Sequence, residues 1–148
     1  MVETKWFYGA EGIQDALLIR RDVFVEEQKV PKEIEYDEWD QKAFHLVVYD
    51  QGIPKATGRC ILKEGIYSLG RIAVVKEARG QGFGDLVVRM LVRKAFQQGA
   101  KEVHLHAQLQ VQDFYEKLGF EAYGEVYEEA GIDHISMVRK EDVKGSCC

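Results

Sequence analysis

The sequence predicts an α/β domain of the α+β kind, built on one mixed sheet. Strand-like and helix-like stretches interleave along almost all of the 148 residues, and no linker, repeat or low-complexity run divides them. With 46% hydrophobic and 30% charged residues, the chain matches one soluble domain that can bury a core of its own. The same figures exclude disordered, collagen-like and membrane-spanning classes. A single domain over residues 1–140 is expected, followed by a polar, disordered tail at 141–148.

Taken in order, Lys5-Trp-Phe-Tyr8 reads as a first strand ended by Gly9. From Gln14 to Gln28, Ala16, Leu17, Ile19, Val23 and Phe24 recur near helical spacing, and Pro31 stops or turns that helix. The acidic stretch to Asp40 is a loop or a short helix. Phe44–Tyr49 and Ala56–Leu62 are strands joined through the turn residues Asp50-Gln-Gly-Ile-Pro54, and Tyr67–Val75 is a third, entered through Gly65. Gly82–Gln98 then carries Leu86, Val87, Met90, Leu91 and Ala95 on one side, an amphipathic helix closed by Gly99. Glu102–Ala107 alternates as a strand. Val111, Phe114, Tyr115 and Leu118 make a short helix ended by Gly119, and Phe120–Tyr127 and Ile132–Val138 are the last strands.

The formal charge is −5, which disfavours nucleic acid as a partner because phosphate neutralisation needs a basic surplus. The N-terminus lacks a signal-peptide pattern and no apolar run approaches the ~20 residues of a membrane span, so a cytoplasmic protein without a membrane partner is expected. Cys60, Cys147 and Cys148 form no C-x-x-C pair, and neither a disulfide framework nor a thiolate zinc site is indicated. His104 and His106 share one face of a strand but lack a third ligand nearby, so no metal is expected.

Ile72-Ala-Val-Val-Lys-Glu-Ala-Arg-Gly-Gln-Gly-Phe-Gly84 is the most informative stretch: a strand, a short loop, then a glycine-rich entry into a helix. The first N–H groups of a helix have no intrahelical partner and its dipole favours negative charge there, so the stretch suits a phosphate. The plainer alternative is a glycine turn that only reverses the chain. A Walker loop is excluded because Asp85-Leu86 follows Gly84 where Lys-Ser/Thr is needed, and the dinucleotide pattern from Gly80 fails on Asp85.

The pattern that Arg79, Gly82 and Gly84 do meet is R-x-x-G-x-G. With it the sequence resembles the GNAT superfamily of N-acetyltransferases, whose pyrophosphate loop for acetyl-coenzyme A has this form. Phe114-Tyr-Glu-Lys-Leu-Gly-Phe120 is similar to that family's second signature segment, and the order of elements agrees over nearly the whole chain. Phe24-Val-Glu-Glu-Gln28, Ala107-Gln108 and Val126–His134 further resemble a small bacterial branch, the ElaA/YjcF-like proteins.

The resemblance implies an acyl-CoA N-acyltransferase fold, with a mostly antiparallel sheet splayed between its fourth and fifth strands and flanked by helices. It implies acetyl-CoA as acetyl donor, an amine as acceptor, and a chain acting as monomer or homodimer. Arg79, Gly80, Gln81, Gly82, Phe83 and Gly84 are expected to cradle the pyrophosphate through backbone N–H groups. Ile72, Ala73 and Val74 would pair with the pantetheine arm, and Gln108, where the family commonly shows asparagine, would bond pantetheine or water. A backbone N–H near Ala73 or Val74 would meet the oxyanion. Tyr115 matches the tyrosine that protonates the leaving sulfur, and its ordinary pKa of about 10 keeps it protonated. Tyr115 also suits simple packing.

The family's strand glutamate is replaced by Gly70, with Arg71 beside it. The general base must then come from His134, Glu128 or an acidic residue between Glu35 and Asp40. Between Glu26 and Asp40 seven carboxylates stand against two lysines, and Tyr123–His134 adds four more with no basic residue. Two negative walls that attract a cationic acceptor are one reading, and solvated surface charge is the other. A non-catalytic acyl-CoA-binding module and a transferase of longer acyl groups are the rival functions.

Overall fold

The computed structural model describes residues 1–141; the rest of the polar tail expected at 141–148 lies outside the described residues. Seven strands form one sheet in the order β1-β2-β3-β4-β5-β7-β6. They are β1 (Val2–Tyr8), β2 (Ala43–Asp50), β3 (Ile53–Lys63), β4 (Ile66–Val74), β5 (Glu102–Gln108), β6 (Glu121–Glu129) and β7 (Ile132–Lys140). Neighbours are antiparallel except β4 and β5, which run parallel. The first strand starts earlier than its apolar residues suggest, because β1 pairs along the whole of β2, from Val2 opposite Asp50 to Tyr8 opposite Phe44.

Successive strand residues point to opposite faces, and β3 shows which helix covers each. A Cβ on Gly58 would lie 2.7 Å from Leu91 and 2.8 Å from Val87, so this face meets α3 (Phe83–Gln97). Arg59, next along, bonds Asp37 and Asp40 on the opposite face, beside α1 (Gln14–Arg20). The stripe of α3 read from the sequence is buried in part: Val87, Leu91 and Ala95 pack on the sheet together with Val88 and Val92, whereas Leu86 and Met90 lie half-buried at its edge. Each fully buried Leu or Val contributes about 1.5–3 kcal/mol.

The first helix is not uniform. It is α-helical to Arg20 and then widens to π-helical turns from Arg21 to Glu27, with the Gln28 N–H reaching the Val23 carbonyl at 3.0 Å. Val23, Phe24 and Glu27 of this segment line a cleft described below. The acidic stretch folds as α2 (Lys32–Glu35) and a 3₁₀ turn (Glu38–Lys42), the latter capped by Asp37, which accepts from the Trp39 N–H at 3.1 Å. The short helix after β5 is α4 (Gln112–Glu116). Among the described residues no helix is long and apolar enough to cross a membrane.

Candidate active site

The parallel ladder between β4 and β5 is three pairs long: Tyr67 with Val103, Ser68 with His104, Leu69 with Leu105. From Gly70 to Val74 the strand keeps its antiparallel partner β3 but, among the described residues, has no partner on the β5 side. A cleft of about 1020 Å³ opens there, lined along β4 by Gly70, Arg71, Ile72, Ala73 and Val74. The bend has a local cause. Arg59 pairs with Gly70 and Thr57 with Ala73, so Arg71 and Ile72 together oppose Gly58, a β-bulge on β4. Arg71 takes the left-handed backbone, φ 52°, which costs a residue with a side chain about 1–2 kcal/mol.

Buried charge holds that bulge. Arg71 Nε donates to the Glu35 carbonyl at 3.0 Å and to Glu35 Oε2 at 3.2 Å, and Nη2 donates to Asp37 at 3.1 Å. Behind it Arg20, 1% exposed, forks onto Glu35 (2.8 and 2.9 Å) and Asp40 (2.9 and 3.1 Å). Arg59 donates to Asp37 at 2.7 and 2.9 Å and to Asp40 at 2.8 Å. Burial alone would raise the carboxyls of Asp37 and Asp40, but hydrogen bonds and attraction from the arginines outweigh it and hold both below the usual range. Three of the segment's seven carboxylates thus lie in a lattice with three arginines rather than in a bare negative wall; Asp37 and Asp40 are poor bases, and Glu35 is taken up by Arg20 and Arg71.

At the mouth, Gly80 (φ 79°) and Gly82 (φ 86°) turn the chain from β4 into α3. A Cβ at either would meet nothing within 4 Å, so the glycines answer a backbone requirement and leave the space before them open. The first bond back into α3 is Leu86 N–H to the Gly82 carbonyl, 3.1 Å. The N–H groups of Phe83, Gly84 and Asp85 therefore precede the intrahelical ladder and suit an anion. Gln81 donates its side-chain amide to the Glu77 carbonyl. The Arg79 guanidinium is directed elsewhere: Nε to the Val74 carbonyl at 3.0 Å, and both Nη atoms to Glu27 at 2.7 and 2.6 Å.

Tyr115 lines the cleft, 8% exposed, with its ring edge-on to Phe114 and Phe120. Burial pushes its phenol well above 10, so it stays protonated. Gln108, at the end of β5, trades side-chain amides with Gln28. His134, on β7 opposite Gln108, also lines the cleft. Its Nδ1 lies 2.7 Å from the Ile132 carbonyl; a carbonyl only accepts, so Nδ1 is the donor, and in a neutral ring the lone pair is on Nε2. The ring stacks on Tyr127, whose hydroxyl bonds His106.

Glu128 is not brought to the site. It is exposed on β6 opposite Asp133, and strand alternation puts Glu129 rather than Glu128 at the cleft lip. Glu27, Gln28 and Glu129 also line the cleft, though no motif singles them out by type; they fall within Phe24–Gln28 and Val126–His134, the stretches that resemble the ElaA/YjcF-like proteins.

Known proteins share this arrangement. Residues 8–141 match the acetyltransferase (GNAT) domain. Over 130 residues the chain is 39% identical to the uncharacterized N-acetyltransferase YjcF of Bacillus subtilis, covering 87% of this chain and 93% of that one. An acyl-CoA N-acyltransferase from Pseudomonas aeruginosa superposes with a TM-score of 0.85 at 32% identity, covering 94% and 99% of the two chains. Escherichia coli ElaA does so with 0.84 at 27%, covering 95% and 100%. A splayed β4–β5 pair beside a glycine-rich helix start, in a chain this similar along nearly its full length, is that of a GNAT acetyltransferase of the ElaA/YjcF-like branch, and the protein belongs to that family as an acetyl-CoA-dependent acetyltransferase.

Proposed function

We propose that the protein moves an acetyl group from coenzyme A to a primary amine by direct attack, with both substrates bound together. One observation carries this reading: β4 and β5 part at Leu69 and Leu105, and the gap opens towards the unpaired N–H groups that begin α3. In it the loop Arg79–Gly84 holds the pyrophosphate, the open edge at Ile72, Ala73 and Val74 pairs with the pantetheine amides, and Gln108 adds a side-chain amide.

Three groups divide the chemistry. A backbone N–H at Ala73 or Val74 stabilises the carbonyl oxygen as the amine nitrogen attacks. Tyr115 gives its proton to the sulfur as the carbon–sulfur bond breaks. His134 Nε2 takes the proton from the amine, directly or through a water, because position 70 has no side chain to do so. Glu128 has no part in this reading. The acceptor is an amine that is cationic in solution, and among the described residues of the two acidic tracts only Glu129 faces the cleft without an arginine partner, so its steering by charge is weak.

The test is purified protein with acetyl-CoA and a mixed amine library, read by free thiol and by mass. Thiol release matched by acetylated amine is expected. Thiol release only with hydroxyl acceptors or water would overturn the amine reading.

A further inference from the structure

Glu27 and Gln28, neighbours at the end of the first helix, reach both lips of the cleft. Glu27 takes both Nη atoms of Arg79, in the loop leading from β4 to α3. Gln28 accepts from Gln108 Nε2 at 2.9 Å and returns a longer bond of 3.4 Å, at the end of β5. Arg79 also caps the Val74 carbonyl at the end of β4. The first helix lies on one face of the sheet and α3 on the other, so these contacts tie the two faces together around the open end of the gap. The backbone is unusual on both sides of the pair: the turns before it are π-helical, and Lys29 after it is left-handed at φ 63°. Together they bring Val23, Phe24, Glu27 and Gln28 along one cleft wall. Folding stability is a weak reason for the ion pair, since its side chains are 41% and 38% exposed and such pairs contribute little.

We propose that Glu27 and Gln28 are positioning residues that couple the acceptor wall to the grip on the acyl carrier. This rests on the function proposed above. When the loop from Arg79 and the end of β5 close on the carrier, the clasp draws the segment 21–28 with them and sets the wall the acceptor meets. A contact linking two half-sites in this way makes each site's occupancy felt at the other.

Hydrogen exchange of the segment 21–28, with and without coenzyme A, tests the coupling in the full chain. In the wild type coenzyme A slows exchange there about fivefold or more. In the Glu27→Gln/Gln28→Ala double variant the slowing is lost, while calorimetry still records coenzyme A binding within about tenfold of wild type. The single variants Glu27→Gln and Gln28→Ala each lose part of it and serve if the double variant does not fold. Unchanged slowing in the variants, or none in the wild type, overturns the coupling. So does a loss of coenzyme A affinity beyond about a hundredfold, which would make the pair part of the carrier's own grip. Absence of any binding heat with the wild type defeats the functional reading instead.

Discussion

Leu69 faces Leu105 in the last pair of the β4–β5 ladder, and the site follows from the ladder ending there. An open strand edge is usually covered or paired, because its N–H and C=O groups need partners. Here it borders a cleft, so an extended guest carrying amides finds a prepared partner. Arg71, two residues beyond Leu69, makes the opening: its left-handed backbone adds one residue to β4 against β3 and turns the strand from β5.

Substitution of Arg71 separates its backbone from its side chain. Arg71→Gly removes the guanidinium but adopts the left-handed conformation without steric cost. Arg71→Val also removes it and sets a β-branched side chain where φ is positive. The valine variant should be less stable than the glycine variant by about 1 kcal/mol, read from urea midpoints. Equal midpoints would mean that the bulge does not depend on a left-handed residue at this position.

Asp40 gives the fold an acid-sensitive anchor. It accepts from Arg20 and Arg59 while 6% exposed, and its carboxyl titrates below the usual range. A carboxyl depressed by folding contributes stability above its unfolded pKa of about 4, and loses it as pH falls through the folded value. Asp40→Asn leaves a buried arginine short of its partner and should cost about 3–5 kcal/mol at pH 7. The deficit should shrink below pH ~4, where the wild type loses its advantage too. Midpoints measured from neutral to acid pH decide this; a deficit constant across the range would contradict it.

The strands, α3 and the glycine turn that leads into it were legible because their signals are local: alternation, an apolar stripe, glycines at fixed offsets. The arginine–carboxylate lattice was not. Arg20 meets Glu35 and Asp40 fifteen and twenty residues away, Arg71 meets Glu35 across thirty-six, and no spacing rule connects them. Charge counting offered an acidic wall or solvated surface charge, and neither describes Glu35, Asp37 and Asp40, which fold into a lattice with arginines. Nothing in the residue type marks Arg71 for positive φ, nor the first helix for π turns at Arg21. The pairing of Gln28 with Gln108 spans eighty residues and depends on both those turns and the end of β5. Glu128 was named for its nearness to the last hairpin, which does not tell its side of the strand from that of Glu129, the neighbour that lines the cleft.

Gly58 lets α3 approach the sheet opposite the bulge. In Gly58→Ala the new methyl would lie 2.7 Å from Leu91 Cδ1 and 2.8 Å from Val87 Cγ1, both on fully buried side chains. Overpacking of this kind should cost about 1–3 kcal/mol. Adding Leu91→Ala makes room, so the double variant should be more stable than the two single losses together imply. Additive losses in denaturant unfolding would show that the helix yields to the methyl without strain.

Tyr115→Phe tests the acid with little change in packing, since the rings of Phe114 and Phe120, with centroids 5.0 and 6.0 Å away, meet an unchanged six-membered face. Burial pushes the phenol above its ordinary value, so in the wild type this residue should cause no loss of rate up to about pH 10. Removing the hydroxyl should lower kcat by about a hundredfold or more while coenzyme A affinity stays the same, because the proton is needed only as the sulfur departs. The loss should be smallest for acyl donors whose thiol leaves most readily without help. Full activity in the phenylalanine variant would reduce Tyr115 to a lining residue and send the search for the acid to the solvent in the cleft.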